Sequence, residues 1–118
     1  DKKNNFLNRI KKLSIKKNVN SLIKEFNSHD LLITNGGITP FEAASSGLPT
    51  IIIATEKHEI KNAKFLEYMG VSKYAGFRKK ASINNFITDL NIRYLSENGL
   101  KKFKFNGIEN LYKLVKTL

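Results

Sequence analysis

The sequence predicts an α/β fold built on a parallel sheet, and two observations support this. Residues 30–53 read without interruption as a strand, a Gly-Gly turn, a short helix and a second strand. The second of these strands, at 49–53, is apolar and β-branched enough to be buried on both faces, as the strands of parallel sheets are. Such a β-α-β unit is expected to cross over in the right-handed sense. The expected architecture is therefore a three-layer, Rossmann-like domain.

Hydrophobic periodicity predicts the elements of the first half of the chain. Residues 6–15 carry apolar side chains at helical spacing, with lysines on the other side, and predict an amphipathic helix. Residues 18–29 fit a second helix, although Asn-Val-Asn near their start could begin a short strand. Strands are expected at 30–34 and 50–54, with a helix at 39–46 between them that Gly47 ends.

The second half begins with a helix that Gly70 ends. The side chains expected on its buried side are Ile60, Ala63, Phe65, Leu66 and Met69. Residues 71–77 read as a short edge strand, and the basic run at 78–80 as solvated. The remainder is expected to be mostly helical, with breaks near Asn98-Gly99 and Asn106-Gly107. Its last piece, 108–118, places Leu111, Leu114 and Val115 on one face.

Length and composition limit the class of protein. The 118 residues suit a single domain, 1–118, and because the first residue is Asp1 we expect it to be part of a larger enzyme. The chain has no cysteine, which excludes disulfides and thiolate metal sites. No stretch approaches the roughly 20 apolar residues that span a bilayer. We therefore expect a cytoplasmic protein.

The formal net charge of +11 raises the question of an anionic partner. Most of the cations are lysines scattered through Asn- and Ile-rich sequence, and neither a zinc-ligand spacing nor an aromatic RNA-binding signature accompanies them. We expect no specific nucleic acid partner. Some lysines could instead hold an anionic small ligand, or associate the protein peripherally with a membrane surface.

The Gly-Gly turn is the first candidate site. A helix start leaves backbone N–H groups without partners and carries a partial positive charge, so an anion such as a diphosphate could bind at Gly36, Gly37, Ile38 and Thr39. Thr39 is expected to be the N-cap, with Pro40 as the first helical residue. Neither the P-loop spacing nor the G-x-G-x-x-G dinucleotide fingerprint is present. ATP hydrolysis and NAD chemistry are therefore disfavoured.

Two sets of polar residues beside this turn have alternative interpretations. Glu42 could close a Thr-x-x-Glu capping box with Thr39, or accept hydrogen bonds from a sugar diol. The side chains that follow the second strand, and that could converge on the same sheet edge, are Lys57, His58, Glu59 and Asn62. The alternative for these is an ordinary polar helix start, in which Glu59 complements the helix dipole.

The segment 28–77 resembles a known family. Its pattern is a D-L-x-I strand, then G-G-x-T-x-x-E, G-L-P and an N-A-x-x-L helix. This pattern is similar to the nucleotide-sugar-binding C-terminal domain of GT-B-fold enzymes of the peptidoglycan GlcNAc transferase group. It is closer still to the UDP-sugar hydrolase of pseudaminic acid synthesis and to spore-coat polysaccharide proteins. The resemblance implies that the chain is one half of a GT-B fold.

The resemblance also implies roles for the candidate residues. In the family, the glycine turn and helix start cradle the diphosphate, a role that falls here to Gly36, Gly37, Ile38 and Thr39. The glutamate of the helix binds the ribose hydroxyls, which implies that role for Glu42. Where the family has an amide pair, this chain has His58-Glu59, followed by the family's asparagine at Asn62.

The implied activity is that of a bacterial surface-glycan enzyme in which UDP is the leaving group, either a UDP-sugar hydrolase or a glycosyltransferase. In such enzymes the catalytic base lies in the N-terminal domain, so no catalytic residue is assigned here and a missing domain or partner subunit is expected. The carboxylates do not cluster at metal-ligand spacing, and we expect no metal or cofactor. The alternative from another class is a non-catalytic basic binding module.

Overall fold

The structure is a computed structural model and describes residues 13–84 and 90–118. A parallel sheet in the order β1-β2-β3 consists of β1 (Leu32–Thr34), β2 (Thr50–Ala54) and β3 (Ser72–Phe77). The described helices are α1 (Leu22–Phe26), α2 (Thr39–Ser45), α3 (Lys57–Tyr68), α4 (Ile92–Lys102) and α5 (Gly107–Lys116), with a 3₁₀ turn at Arg78–Lys80. This is the predicted α/β class, a parallel sheet flanked by helices in a Rossmann-like arrangement.

The core lies on both faces of β2. Ile52 belongs to a cluster of buried side chains that comes mainly from the two crossover helices and consists of Ala44, Ile52, Ala63, Leu66 and Val71. Ile51, whose side chain points to the opposite face, is also fully buried. Both faces of the central strand are therefore covered, which explains why its sequence is an uninterrupted apolar run.

Helices α2 and α3 end in the same way. Gly47 and Gly70 both have φ of 74°, the left-handed conformation that glycine adopts without steric cost. The Leu48 amide donates to the Ala43 carbonyl oxygen at 2.9 Å, and the Val71 amide donates to the Leu66 carbonyl oxygen at 3.1 Å. These are Schellman caps, and they confirm the prediction that the two glycines terminate the helices.

Helix α4 packs over both of these helix ends. The Leu100 side chain lies against Gly47, and the Asn98 side chain donates to the Gly70 carbonyl oxygen at 3.1 Å. Gly99 lies inside α4, and a Cβ atom placed there would clash with the Ala44 carbonyl oxygen. The predicted helix break at Asn98-Gly99 is therefore wrong: the glycine allows close contact between helices instead of ending one.

The other expected break is confirmed, because α4 ends at Lys102 and α5 begins at Gly107. Strand β3 also lies where it was predicted, but its pairing with β2 is irregular. Ile52 pairs with Tyr74 and Ile53 with Gly76, so one residue of β3 bulges out of the ladder. Gly76 has φ of 126°, a backbone conformation that residues with a side chain rarely adopt.

The remaining element predictions are partly corrected. Most of the helix expected at 6–15 lies outside the described residues, and residues 13–15 are not helical. The helix expected at 18–29 is present but shorter. Phe65 is 47% exposed instead of buried on α3, because Ala63 and Leu66 occupy the face that meets the sheet. Within the described part of the chain, no helix has the length and apolar character needed to cross a bilayer.

Candidate functional site

The carboxyl ends of the three parallel strands meet at one edge of the sheet. The segments that leave this edge are the Gly-Gly turn after β1, Thr55 and Glu56 after β2, and Arg78 after β3. In open α/β sheets, ligands bind in the crevice at this edge. The candidate residues predicted from the sequence therefore lie on segments that leave the sheet at this edge.

Gly36 is needed for packing within the fold. A Cβ atom at this position would be 2.7 Å from both the Cβ atom and the backbone carbonyl oxygen of Glu59. The Asn62 side-chain amide donates a hydrogen bond to the Gly36 carbonyl oxygen at 2.9 Å. The close approach that this glycine permits is therefore with the first turns of α3, and Asn62 holds the turn against that helix.

Glu59 is the centre of a hydrogen-bond network at this edge. Its side chain is only 4% exposed, and one carboxylate oxygen accepts from the Thr55 amide at 2.7 Å, the Thr55 hydroxyl at 3.0 Å and the Glu56 amide at 3.2 Å. The contact with the Glu56 amide is half of a capping box at the start of α3. A carboxylate buried in this way is not accessible to a sugar, so Glu59 has the structural role that the sequence left as an alternative.

The same network controls the protonation of Glu59. The donating Thr55 amide holds the pKa of Glu59 below its usual range, and burial acts in the opposite direction. The Glu56 amide, the Thr55 hydroxyl and the Gly36 amide add smaller effects that lower the pKa further. Because the charged form is the one that accepts these hydrogen bonds, the ionised carboxylate holds the loop after β2 to α3.

Arg78 belongs to this edge although its sequence indicated only a solvated basic run. Its Nε atom donates to the Thr55 carbonyl oxygen at 3.0 Å, and its guanidinium lies 4.7 Å from the centre of the Phe77 ring. Arg78 has φ of 49°, an uncommon conformation for a residue with a side chain. The irregular end of β3 therefore returns a cation to the loop that follows β2, an arrangement that residue spacing alone does not reveal.

The start of α2 differs from its prediction. Ile38, not Thr39, is the N-cap, and within the described part of the chain no side chain caps this helix. Thr39 is already the first helical residue, and the amides of Phe41 and Glu42 both donate to the Ile38 carbonyl oxygen. The predicted Thr39–Glu42 capping box is therefore wrong, since a threonine in helical conformation is not placed as a cap.

Several candidate residues remain accessible at this edge. Of the described atoms, a Cβ atom at Gly37 would have just the Asn35 side-chain oxygen within 4 Å, at 3.8 Å, and the neighbouring Ile38 is 76% exposed. Lys57 and His58 are exposed on the first turn of α3, and Glu42 is half-buried on α2. The structure thus separates the candidate residues into two sets. Glu59 and Asn62 each pack against Gly36, whereas Gly37, Ile38, Glu42, Lys57 and His58 are at least partly accessible.

Within 13–84 and 90–118, no group of three histidine or acidic side chains is placed to hold an ion. No family model matches this chain, and no curated protein or solved structure is significantly similar to it. A proposal on function therefore rests on the fold, on the geometry of the carboxyl edge and on the sequence pattern.

Proposed function

We propose that this chain is the UDP-sugar-binding domain of a bacterial surface-glycan biosynthesis enzyme, of the UDP-sugar hydrolase type, in which UDP is the leaving group. The observation that carries the proposal is the difference between the two glycines of the turn. The packing of Gly36 against Glu59 accounts for the absence of its side chain. Among the described residues, no contact and no left-handed φ account for the absence of a side chain at Gly37, so close approach of a ligand is the explanation that we infer.

The diphosphate would bind where the chain passes from Gly37 into α2. Pro40 follows Thr39 at the start of this helix, and the amides of Ile38 and Thr39 precede the first intrahelical donors. These amides, the helix dipole and the Thr39 hydroxyl suit a diphosphate. This site rests on the Gly37 geometry and on the resemblance of G-G-x-T-x-x-E together, since the helix start alone is not specific.

Glu42 is the proposed ribose ligand. Its interpretation as a helix cap is removed by the position of the N-cap at Ile38, and its backbone carbonyl, not its side chain, accepts from the Ser46 hydroxyl. A carboxylate on the second turn of α2 can accept two hydrogen bonds from the 2′ and 3′ hydroxyls of a ribose. We assign His58 to contacts with the phosphate or the sugar, and Glu59 and Asn62 to holding the turn.

The reaction would release UDP by substitution at the anomeric carbon. Water forms the new bond to that carbon, the bond to the diphosphate oxygen breaks with its electron pair going to UDP, and a base accepts the proton of the water. We assign no catalytic base in this chain and propose that a second domain or a partner subunit supplies it. A glycosyltransferase, which presents an acceptor hydroxyl instead of water, would use the same leaving-group site.

Titration of the chain with UDP, followed by amide NMR shifts, tests the nucleotide site. We expect saturable shifts at Gly37, Ile38, Thr39 and Glu42, and weaker binding of UMP, which lacks the second phosphate. Gly37→Ala should weaken UDP binding by about tenfold, the effect of losing roughly one or two hydrogen bonds to the phosphates. Gly107→Ala is the matched control, because a Cβ atom there meets no atom of the described chain within 4 Å. Equal UDP affinity of the two variants would contradict the proposal.

The ribose assignment has its own test. If Glu42 binds the ribose hydroxyls, the chain should prefer UDP to 2′-deoxy-UDP, and Glu42→Ala should reduce that preference. Glu97→Ala, which removes an exposed carboxylate from α4, should leave the preference unchanged. Binding of oligonucleotides with no response to UDP would instead favour the non-catalytic basic module.

A further inference from the structure

Helix α5 presents an apolar face that the described protein body does not cover. None of its residues is buried, and the apolar side chains include Ile108 at 87% and Leu111 at 60% exposure. Leu114 and Val115, which the sequence places on the same face, are also more than half exposed. A helix with this much exposed apolar surface is suited to contact with something outside the fold.

The apolar and polar side chains of α5 lie on separate sides. At 3.6 residues per turn, Ile108, Leu111 and Val115 form one stripe, with Tyr112 and Leu114 beside it. The rest of the circumference carries Asn110, Lys113 and Lys116, with Lys113 opposite the stripe, and the Lys113 ammonium is 3.2 Å from the Glu109 carboxylate. The helix is therefore strongly amphipathic, with a basic polar face.

The charge around α5 indicates the chemistry of its partner. Residues 101–118, the final segment, contain one acid, Glu109, and five lysines, which are Lys101, Lys102, Lys104, Lys113 and Lys116. Phe105, just before the helix, is 64% exposed, so apolar and basic groups alternate here. The chain as a whole carries +11, and this charge opposes pairing with a second copy. An anionic surface with an apolar interior matches both properties.

We propose that α5 binds an anionic membrane surface, lying in the interface with its apolar face toward the acyl chains and its lysines among the lipid phosphates. Amphipathic helices with lysines on the polar face and large apolar residues on the other bind in this way. The ten residues of α5 can lie on a bilayer but not cross it. The proposal does not depend on nucleotide binding and would hold if the carboxyl edge bound no UDP.

Flotation of the full chain with lipid vesicles is the first test. We expect at least about tenfold stronger binding to phosphatidylcholine vesicles containing roughly 30% phosphatidylglycerol than to phosphatidylcholine alone, because the lysines are attracted to the anionic surface. Raising the salt concentration should reduce this difference as charge is screened. Equal binding to the two vesicle types, or no binding to either, would overturn the proposal.

A pair of variants separates the apolar face from the total charge. Leu111→Asp and Asn110→Asp each add one negative charge at adjacent positions of α5, the first within the apolar stripe and the second outside it. We expect Leu111→Asp to reduce binding to the anionic vesicles by about tenfold and Asn110→Asp by only about twofold. Neither side chain is buried, so both variants should fold, as circular dichroism can verify. Similar losses in the two variants would overturn the proposal.

Tyr112→Trp supplies an independent reporter, since the chain contains no tryptophan. Its emission should shift to shorter wavelength with anionic vesicles and remain unchanged with neutral ones.

Light scattering, which measures the oligomeric state, identifies competing occupants of the apolar face of α5. If the wild-type chain forms a dimer that Leu111→Asp dissociates, the apolar face of α5 serves self-association. If the face binds a protein partner without vesicles, it serves that protein contact. Either result would overturn the membrane assignment.

Discussion

The two glycines of one turn have different physical reasons for lacking a side chain. Gly36 has no room for a Cβ atom because α3 packs against it, whereas Gly37 has room. Glu59 likewise has a structural role, because its carboxylate, although it lies beside a candidate ligand site, is buried and accepts a hydrogen bond from a backbone amide of its own fold. At the scale of single residues, these contacts distinguish positions that maintain the edge from positions that are available to a ligand.

Stability measurements should separate the glycines. Gly36→Ala would place its Cβ atom 2.7 Å from the Glu59 backbone, so the turn or α3 must move. We expect a loss of about 1–3 kcal/mol in the free energy of unfolding, as for other overpacked sites. Gly37→Ala should change it by less than about 0.5 kcal/mol. Urea denaturation measures both, and equal destabilisation would show that the packing at Gly36 is not the constraint described.

Glu59→Gln should lower stability in a pH-dependent way. The substitution keeps the shape but replaces a charged acceptor of three hydrogen bonds, so we expect a loss of about 1–3 kcal/mol near pH 7. Because the pKa of Glu59 is lowered in the folded state, its contribution is complete above the ordinary glutamate pKa of about 4.3 and disappears as the pH falls through the lowered pKa.

The difference in stability between the wild-type chain and Glu59→Gln should therefore become smaller in acid, which urea titrations at several pH values can measure. Glu97→Gln removes the same charge from an exposed pair with Arg93 and should cost no more than about 0.5 kcal/mol at pH 7. A difference for Glu59→Gln that stayed constant or grew as the pH fell would contradict the network.

At the scale of secondary structure, predictions succeeded where local signals agreed with packing. Strand β2 was found because its residues form an uninterrupted apolar run, and helices α2 and α3 because each ends at a glycine that forms a Schellman cap. They failed where tertiary contacts decide the conformation. Thr39 satisfies the sequence pattern of a cap but is helical, and Asn98-Gly99 looks like a break but lies inside α4. No local signal reveals that Gly99 faces Ala44.

Gly99→Ala tests the packing of α4 on α2. In an isolated helix alanine is favoured over glycine by about 1 kcal/mol, but here its Cβ atom would clash with the Ala44 carbonyl oxygen. We expect the clash to win and thermal unfolding to occur at lower temperature, with a net loss of about 1–3 kcal/mol. Gly107→Ala, at the start of α5, has open space and should be neutral or slightly stabilising. A stabilised Gly99→Ala variant would contradict close packing of the helices.

At the scale of the whole molecule, positive charge is spread along the chain, and its final segment, 101–118, carries five lysines against one acid. The sequence predicted the parallel sheet and the edge where candidate residues gather, because strand ends can be read from apolar runs. It could not predict that Arg78 returns to Thr55, or that no part of the chain within 13–84 and 90–118 covers the apolar face of α5, since both depend on how distant segments meet. The division of the edge into packed and accessible residues likewise needed coordinates.

The excess charge should affect the stability of the whole chain. With 21 Lys and Arg against 10 Asp and Glu, the positive charges of the folded protein repel one another, and added salt screens this repulsion. We expect the thermal unfolding midpoint to rise by a few degrees as sodium chloride is increased from low to physiological concentration. Differential scanning fluorimetry measures the midpoint. A fall over this range would indicate that attractive ion pairs outweigh the repulsion.

Helix α4, which covers the ends of α2 and α3, has a consequence for the order of folding. Its hydrogen bonds to Gly70 and Met69 join residues 28 and 33 positions apart in the chain, whereas each parallel crossover brings together strands that are consecutive. Closing longer loops costs more chain entropy. The two crossovers should therefore form first, and the docking of α4 should complete the native state, so that weakening it accelerates unfolding more than it slows folding.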